Sequence, residues 1–130
     1  MTELIRVLID SSAWIEYLFG TPKGEKVKHI IEDKNSICYT PTIVRTEVIS
    51  KLIRTGHDAE KAIQTIKQLS IPPIEEPEYF FEAGKKHAEL RKSNKNISAA
   101  DAIIITIAEK NNLKVLTKDS HFKGINTLLI

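Results

Sequence analysis

At 130 residues, 42% hydrophobic and 28% charged, the chain has the balance of one compact soluble domain, residues 1–130, and is too short for a second full one. Its single cysteine, Cys38, excludes an internal disulfide, and with no run near ~18 apolar residues and no signal-like leader, the expected location is cytoplasmic rather than membrane-bound. Nineteen Lys and Arg against 17 Asp and Glu leave a net charge of +2, too weak alone to announce a polyanionic partner.

Leu4 to Ile9 is a short apolar run broken only by Arg6. It ends at Asp10-Ser11-Ser12, which reads as a buried central strand followed by a helix start. A helical pattern covers Ala13 to Phe19, Gly20-Thr21-Pro22 breaks it, and a charged helix runs from about Lys23 to Asp33. Ser36 to Tyr39 is a second strand. Thr40-Pro41 then offers an N-cap and a first-turn proline to a helix carrying Ile43, Val44, Val48, Ile49, Leu52 and Ile53 at helical spacing and ending near Gly56. Asp58 to Leu69 is amphipathic, Ile71-Pro72-Pro73-Ile74 suits a short edge strand, and Pro77 opens a helix to about Lys92. Ser98 to Asp101 is a helix N-terminus, and Ala102 to Ala108 lacks a clean polar face, as a buried helix does. Lys114 to Thr117 and Thr127 to Ile130 are strands, with a turn at Ser120 to Phe122 between them. Short apolar strands alternating with helices predict an α/β fold, a three-layer α/β/α sandwich around a mainly parallel sheet.

Four acids stand where charge is awkward. Asp10 and Asp119 follow strands, at the sheet edge where parallel α/β folds bind ligands. Glu47 flanks the apolar face of its helix, and Asp101 lies in the first turn of the buried helix, where an ionised group needs a cation, a helix N-terminus or hydrogen bonds. Each also has an ordinary structural reading. Asp10 and Asp119 suit caps or turns, Asp101 suits a capping box with Ser98, and Glu47 suits a surface ion pair. If all four gathered at one cationic site, the 19 basic residues would outnumber the remaining 13 acids by six, a distribution that favours a polyanion.

Taken in order, Asp10-Ser11-Ser12-Ala13-Trp14-Ile15-Glu16-Tyr17-Leu18, Thr46-Glu47-Val48, Ser98-Ala99-Ala100-Asp101-Ala102 and Leu116-Thr117-Lys118-Asp119-Ser120-His121-Phe122 closely resemble the PIN-domain family across nearly the whole chain. With nothing appended, the chain resembles the VapC-type toxin ribonucleases of prokaryotic toxin-antitoxin pairs. The resemblance implies a metal-dependent endoribonuclease whose acidic quartet is Asp10, Glu47, Asp101 and Asp119, with Asp119 at the most variable of the four positions. Ser12 and Thr117 match supporting positions that orient a carboxylate or water. It further implies one or two Mg²⁺ or Mn²⁺ ions and products bearing a 5′-phosphate and a 3′-hydroxyl. The implied substrate is RNA, with tRNA the family-level expectation, and the implied partners are a cognate antitoxin and a second copy in a homodimer. The alternative is a non-catalytic PIN-like module that binds RNA or protein without cutting.

The residue chemistry agrees with a metal site. Four converging carboxylates repel one another and drift toward protonation unless divalent cations intervene, and all-oxygen ligation suits Mg²⁺ or Mn²⁺. Asp10 and Asp101 are the favoured ligands, Glu47 a ligand or water-orienting group, and Asp119 a contributor to a second ion or its water shell. Competing motifs are missing. There is no Gly-x-Gly-x-x-Gly or P-loop cradle, no Asp-x-Asp pair, and no zinc spacing among His29, His57, His87 and His121. His121 reads as a turn residue and Cys38 as a small core residue. Lys85, Lys86, Arg91, Lys92, Lys95 and Lys118 are candidates for a phosphate-contacting rim. Trp14, Tyr17, Leu18 and Phe19 form either core packing or a partner groove.

Overall fold

The computed structural model describes residues 4–122 and 126–130, apart from the His121 side chain. Strand β1 (Ile5–Ile9) leads into helix α1 (Ser11–Phe19) and α2 (Pro22–Ile31), and β2 (Ser36–Tyr39) into α3 (Thr42–Arg54) and α4 (Glu60–Leu69). Helices α5 (Pro77–Leu90) and α6 (Ala99–Lys110) precede β3 (Lys114–Thr117), a 3₁₀ turn (Ser120–Phe122) and β4 (Thr127–Leu129). The sheet runs β2-β1-β3-β4 and every pairing is parallel. Val7, Leu8 and Ile9 on β1 are each fully buried. Because successive strand residues point to opposite faces, both faces of the sheet are covered, as the α/β/α reading requires.

Strand β1 pairs with β2 on one side and β3 on the other, so the chain reverses its direction of progress across the sheet at the β1/β3 boundary. Crevices at the carboxyl ends of strands open at such a reversal. Ile9 registers with Leu116, which brings the residues after β1 alongside those after β3. The same geometry makes Asp10 and Asp119 neighbours although 109 positions separate them.

Helix α6 is the internal helix: Ala102 and Ile104 to Ala108 are buried, and the Thr106 hydroxyl donates to the Ala102 carbonyl at 2.8 Å. Its start is a complete capping box, with Ser98 and Asp101 each accepting the other's backbone N–H. Helices α1 and α2 form a tight pair. Gly20 closes α1 in the left-handed region at φ 65°, and a Cβ on Gly24 would lie 2.1 Å from the Glu16 carbonyl oxygen.

Two local expectations are corrected. Thr40 is not the cap of α3; its hydroxyl accepts from Trp14 Nε1 at 3.0 Å and donates to Ser70 Oγ at 2.7 Å. A buried indole N–H demands an acceptor, and Thr40 supplies it, while Glu75 accepts the Thr42 N–H at 2.8 Å at the start of α3. The stretch Ile71–Ile74 reduces to one bridge, Ile71 beside Tyr39. Pro72 and Pro73 have no N–H to extend it, and Asn111 takes over by bonding both the N–H and the carbonyl of Ile74 at 3.0 Å. Trp14 is wholly buried, whereas Phe19 on the same helix is exposed. Cys38 is a core residue whose thiol burial pushes up to about 11, leaving it inert.

Candidate active site

Asp10 is held by three donors. It is only 3% exposed and caps α1. One carboxylate oxygen accepts from the Ala13 N–H at 2.9 Å and the Ser12 hydroxyl at 2.8 Å, and the other from the Thr117 hydroxyl at 2.5 Å. Such bonds to an ionised oxygen are short and strong. Burial nevertheless raises the Asp10 pKa against all three donors, and the charge of Asp119 adds to the rise. The two hydroxyls also anchor the loop after β3: Ser12 Oγ accepts the Lys118 N–H at 3.0 Å, and Thr117 Oγ1 accepts the Asp119 N–H at 2.9 Å. Ser12 and Thr117 therefore tie Asp10 to the strand end that carries Asp119.

Glu47 reaches the same region from α3. Burial raises its pKa, the Ser11 hydroxyl works in the opposite direction, and the charges of Asp101 and Asp10 raise it further. Its Oε1 is buried without a hydrogen-bond partner. A carboxylate oxygen desolvated in that way is costly unless a cation or proton meets it. Asp101, half-buried in the first turn of α6, gives one oxygen to the Ser98 N–H at 2.9 Å. The four carboxylates thus lie near enough for Asp10 to feel Asp119 and for Glu47 to feel both Asp101 and Asp10. Among the described residues, however, no three His, Cys, Asp or Glu side chains form a group able to hold a metal ion as they stand. The donor set, all carboxylate and hydroxyl oxygen with one buried oxygen unsatisfied, fits a hard divalent cation.

Beside these acids opens a cleft of about 460 Å³, lined by Ser11, Ser12 and Ile15 from α1, by Thr46, Glu47, Ser50, Lys51 and Arg54 from α3, and by Lys118. Lys118 is the one member of the expected rim found there. Lys86 and Lys92 instead pair with Glu109 at 2.8 Å and Glu89 at 3.1 Å, and Lys85, Arg91 and Lys95 are exposed and do not line the cleft. Nothing in the sequence alone sets Lys51 and Arg54 apart from the other basic residues, although their positions four and seven residues after Glu47 place all three on one helical face. The His121 side chain lies outside the described residues.

A profile of the PIN-domain family matches residues 7–128. No curated protein sequence matches the chain significantly. Among solved structures, the VapC20 toxin of Mycobacterium tuberculosis, which cleaves the sarcin-ricin loop, aligns with TM-score 0.72 at 15% identity, over 95% of this chain and 98% of its own. A toxin-antitoxin complex from Klebsiella pneumoniae aligns with TM-score 0.68 at 20% identity, over 94% and 95%. VapBC2 of Rickettsia felis, bound to a DNA fragment from its promoter, aligns with TM-score 0.70 at 16% identity, over 97% and 98%. No helix among the described residues is long and apolar enough to cross a membrane.

Proposed function

Since the chain belongs to the PIN-domain family, we propose that it is a metal-dependent endoribonuclease, a single-domain toxin restrained in the cytoplasm by a cognate antitoxin. The observation that carries this reading is the buried, unpartnered Glu47 Oε1 in the field of two further carboxylates. Asp10, Glu47, Asp101 and Asp119 would hold one or two Mg²⁺ or Mn²⁺ ions, which supply Lewis acidity and lower the pKa of a bound water. Asp10 is kept in place by Ser12 and Thr117, so its carboxylate needs little reordering to serve as a ligand. Asp101 is steadied by the Ser98 N–H. Glu47, with its raised pKa, is suited to orient the attacking water and accept its proton. The toxin-antitoxin assemblies among the structural relatives support an antitoxin partner. RNA, with tRNA as the first candidate, and a homodimer complete the proposal.

The lack of a ready-made ion-holding group among the described residues favours one rival, a PIN-like module that binds RNA or protein without cutting it. One assay separates the two. Protein freed of copurifying inhibitor is incubated with structured RNAs in Mn²⁺ or EDTA. Cleavage is expected with Mn²⁺ only, falling by about 10²-fold or more in Asp10→Asn and Asp101→Asn, the scale seen when one transition-state contact is removed. Asparagine caps helices as well as aspartate, so Asp10→Asn is expected to keep its fold, and cleavage that persists in it overturns the enzymatic reading.

A further inference from the structure

We propose that Lys51 and Arg54 on α3, together with Lys118 after β3, form a track that seats the phosphates of single-stranded RNA flanking the scissile bond. The inference deepens the nuclease reading and rests on it. Glu47, Lys51 and Arg54 fall on one face of α3, and all three line the cleft. At ~1.5 Å per residue, Lys51 and Arg54 stand ~6 Å and ~10 Å along the helix axis from Glu47. That path corresponds to ~2–3 stacked nucleotides at ~3.4 Å per step. The stripe therefore changes from acidic to basic in the direction a strand would follow on leaving the acids.

The pairing of charges elsewhere sharpens the contrast. On the α5/α6 side, Lys86 and Lys110 are neutralised by Glu109 and Glu82, each at 2.8 Å. Among the described residues, neither Lys51 nor Arg54 lies within 4 Å of a carboxylate, and Lys118 has only Glu16 at 3.9 Å. Arg54 Nε is steadied by Ser50 Oγ at 3.2 Å, which leaves its other guanidinium N–H groups to meet an anion. Three cations converging in a concave site with a single carboxylate in its lining match a polyanion better than a neutral ligand.

The test measures binding of a fluorescent single-stranded RNA in EDTA, across a salt series, by wild type, by Lys51→Gln/Arg54→Gln/Lys118→Gln and by the control Lys85→Gln/Arg91→Gln/Lys95→Gln. The control removes the same charge from outside the cleft. The track variant is expected to bind at least tenfold more weakly and to lose about 2 from the slope of log affinity against log salt, at ~0.7 per phosphate contact. Single substitutions lose ~0.7 each, and Lys51→Arg and Lys118→Arg retain binding. Circular dichroism and thermal melts establish that each variant is folded, with the single substitutions replacing the triple should it unfold. Equal losses in track and control variants overturn the track even if wild type cleaves RNA with Mn²⁺. Selective loss in the track variant supports it even if wild type never cleaves, in which case the nuclease reading alone falls.

Discussion

Thr117 shows how much one hydroxyl organises. It is fully buried, donates to Asp10 and accepts from the Asp119 N–H. Removing it takes a donor from the buried Asp10 carboxylate and an acceptor from the half-buried Asp119 N–H, and stranding a buried polar group costs ~1–3 kcal/mol. Thr117→Val is therefore expected to lower unfolding stability by about 2 kcal/mol or more in urea titrations, whereas Thr117→Ser, which keeps both bonds, stays near wild type. Equal stability of Val and Thr variants would show that the hydroxyl does not hold the site. Ser12 plays the matching part on the other side of Asp10, donating to its carboxylate and accepting from the Lys118 N–H.

At the scale of elements, the α1/α2 pair fixes the helix that Asp10 caps and that carries Ser11 and Ser12. Its close approach depends on Gly24, where an added methyl meets the Glu16 backbone carbonyl rather than a movable side chain. Gly24→Ala is expected to cost about 1–3 kcal/mol through this overpacking, read as a lower melting temperature, and an unchanged melt would mean that the helices separate without penalty. The sequence made these helices visible because Gly20-Thr21-Pro22 is unambiguous punctuation, and it exposed the Ser98/Asp101 capping box through residue spacing alone. It concealed the role of Thr40, because a Thr-Pro pair looks like a cap until the buried indole of Trp14 claims the hydroxyl. The edge strand at Ile71 was half legible: the pairing begins, but the prolines that flagged an edge also prevent its continuation. In the candidate site, the order of the acids was readable, whereas the cationic face of α3 was hidden among lysines whose pairing or exposure only tertiary packing decides.

For the whole molecule, the raised pKa values of two acids tie folding to pH. Burial raises the folded pKa of Asp10 above its ordinary 3.8 and that of Glu47 above 4.5. From those ordinary values up through the raised ones, the folded state holds more protons than the unfolded state, so stability contributed by these groups falls as pH rises. In EDTA, Asp10→Asn/Glu47→Gln is expected to gain melting temperature relative to wild type as pH increases from 4 toward 7. On the proposed metal-site reading, Mn²⁺ is expected to act in the opposite sense on wild type, adding ~2.7 kcal/mol at a hundredfold excess over its dissociation constant, with a smaller effect at pH 5 than at pH 7 and none in the double variant. A wild-type melt indifferent to both pH and Mn²⁺ would show that these carboxylates carry no folding strain. Trp14, the sole tryptophan, is sealed inside the protein, with its backbone N–H bonded to the Asp10 carbonyl at 3.1 Å and its ring nitrogen bonded to Thr40. Indole emission from this chain therefore has one source, seated a single helical turn from the first acid, and the molecule carries its own optical gauge of how that corner is held together.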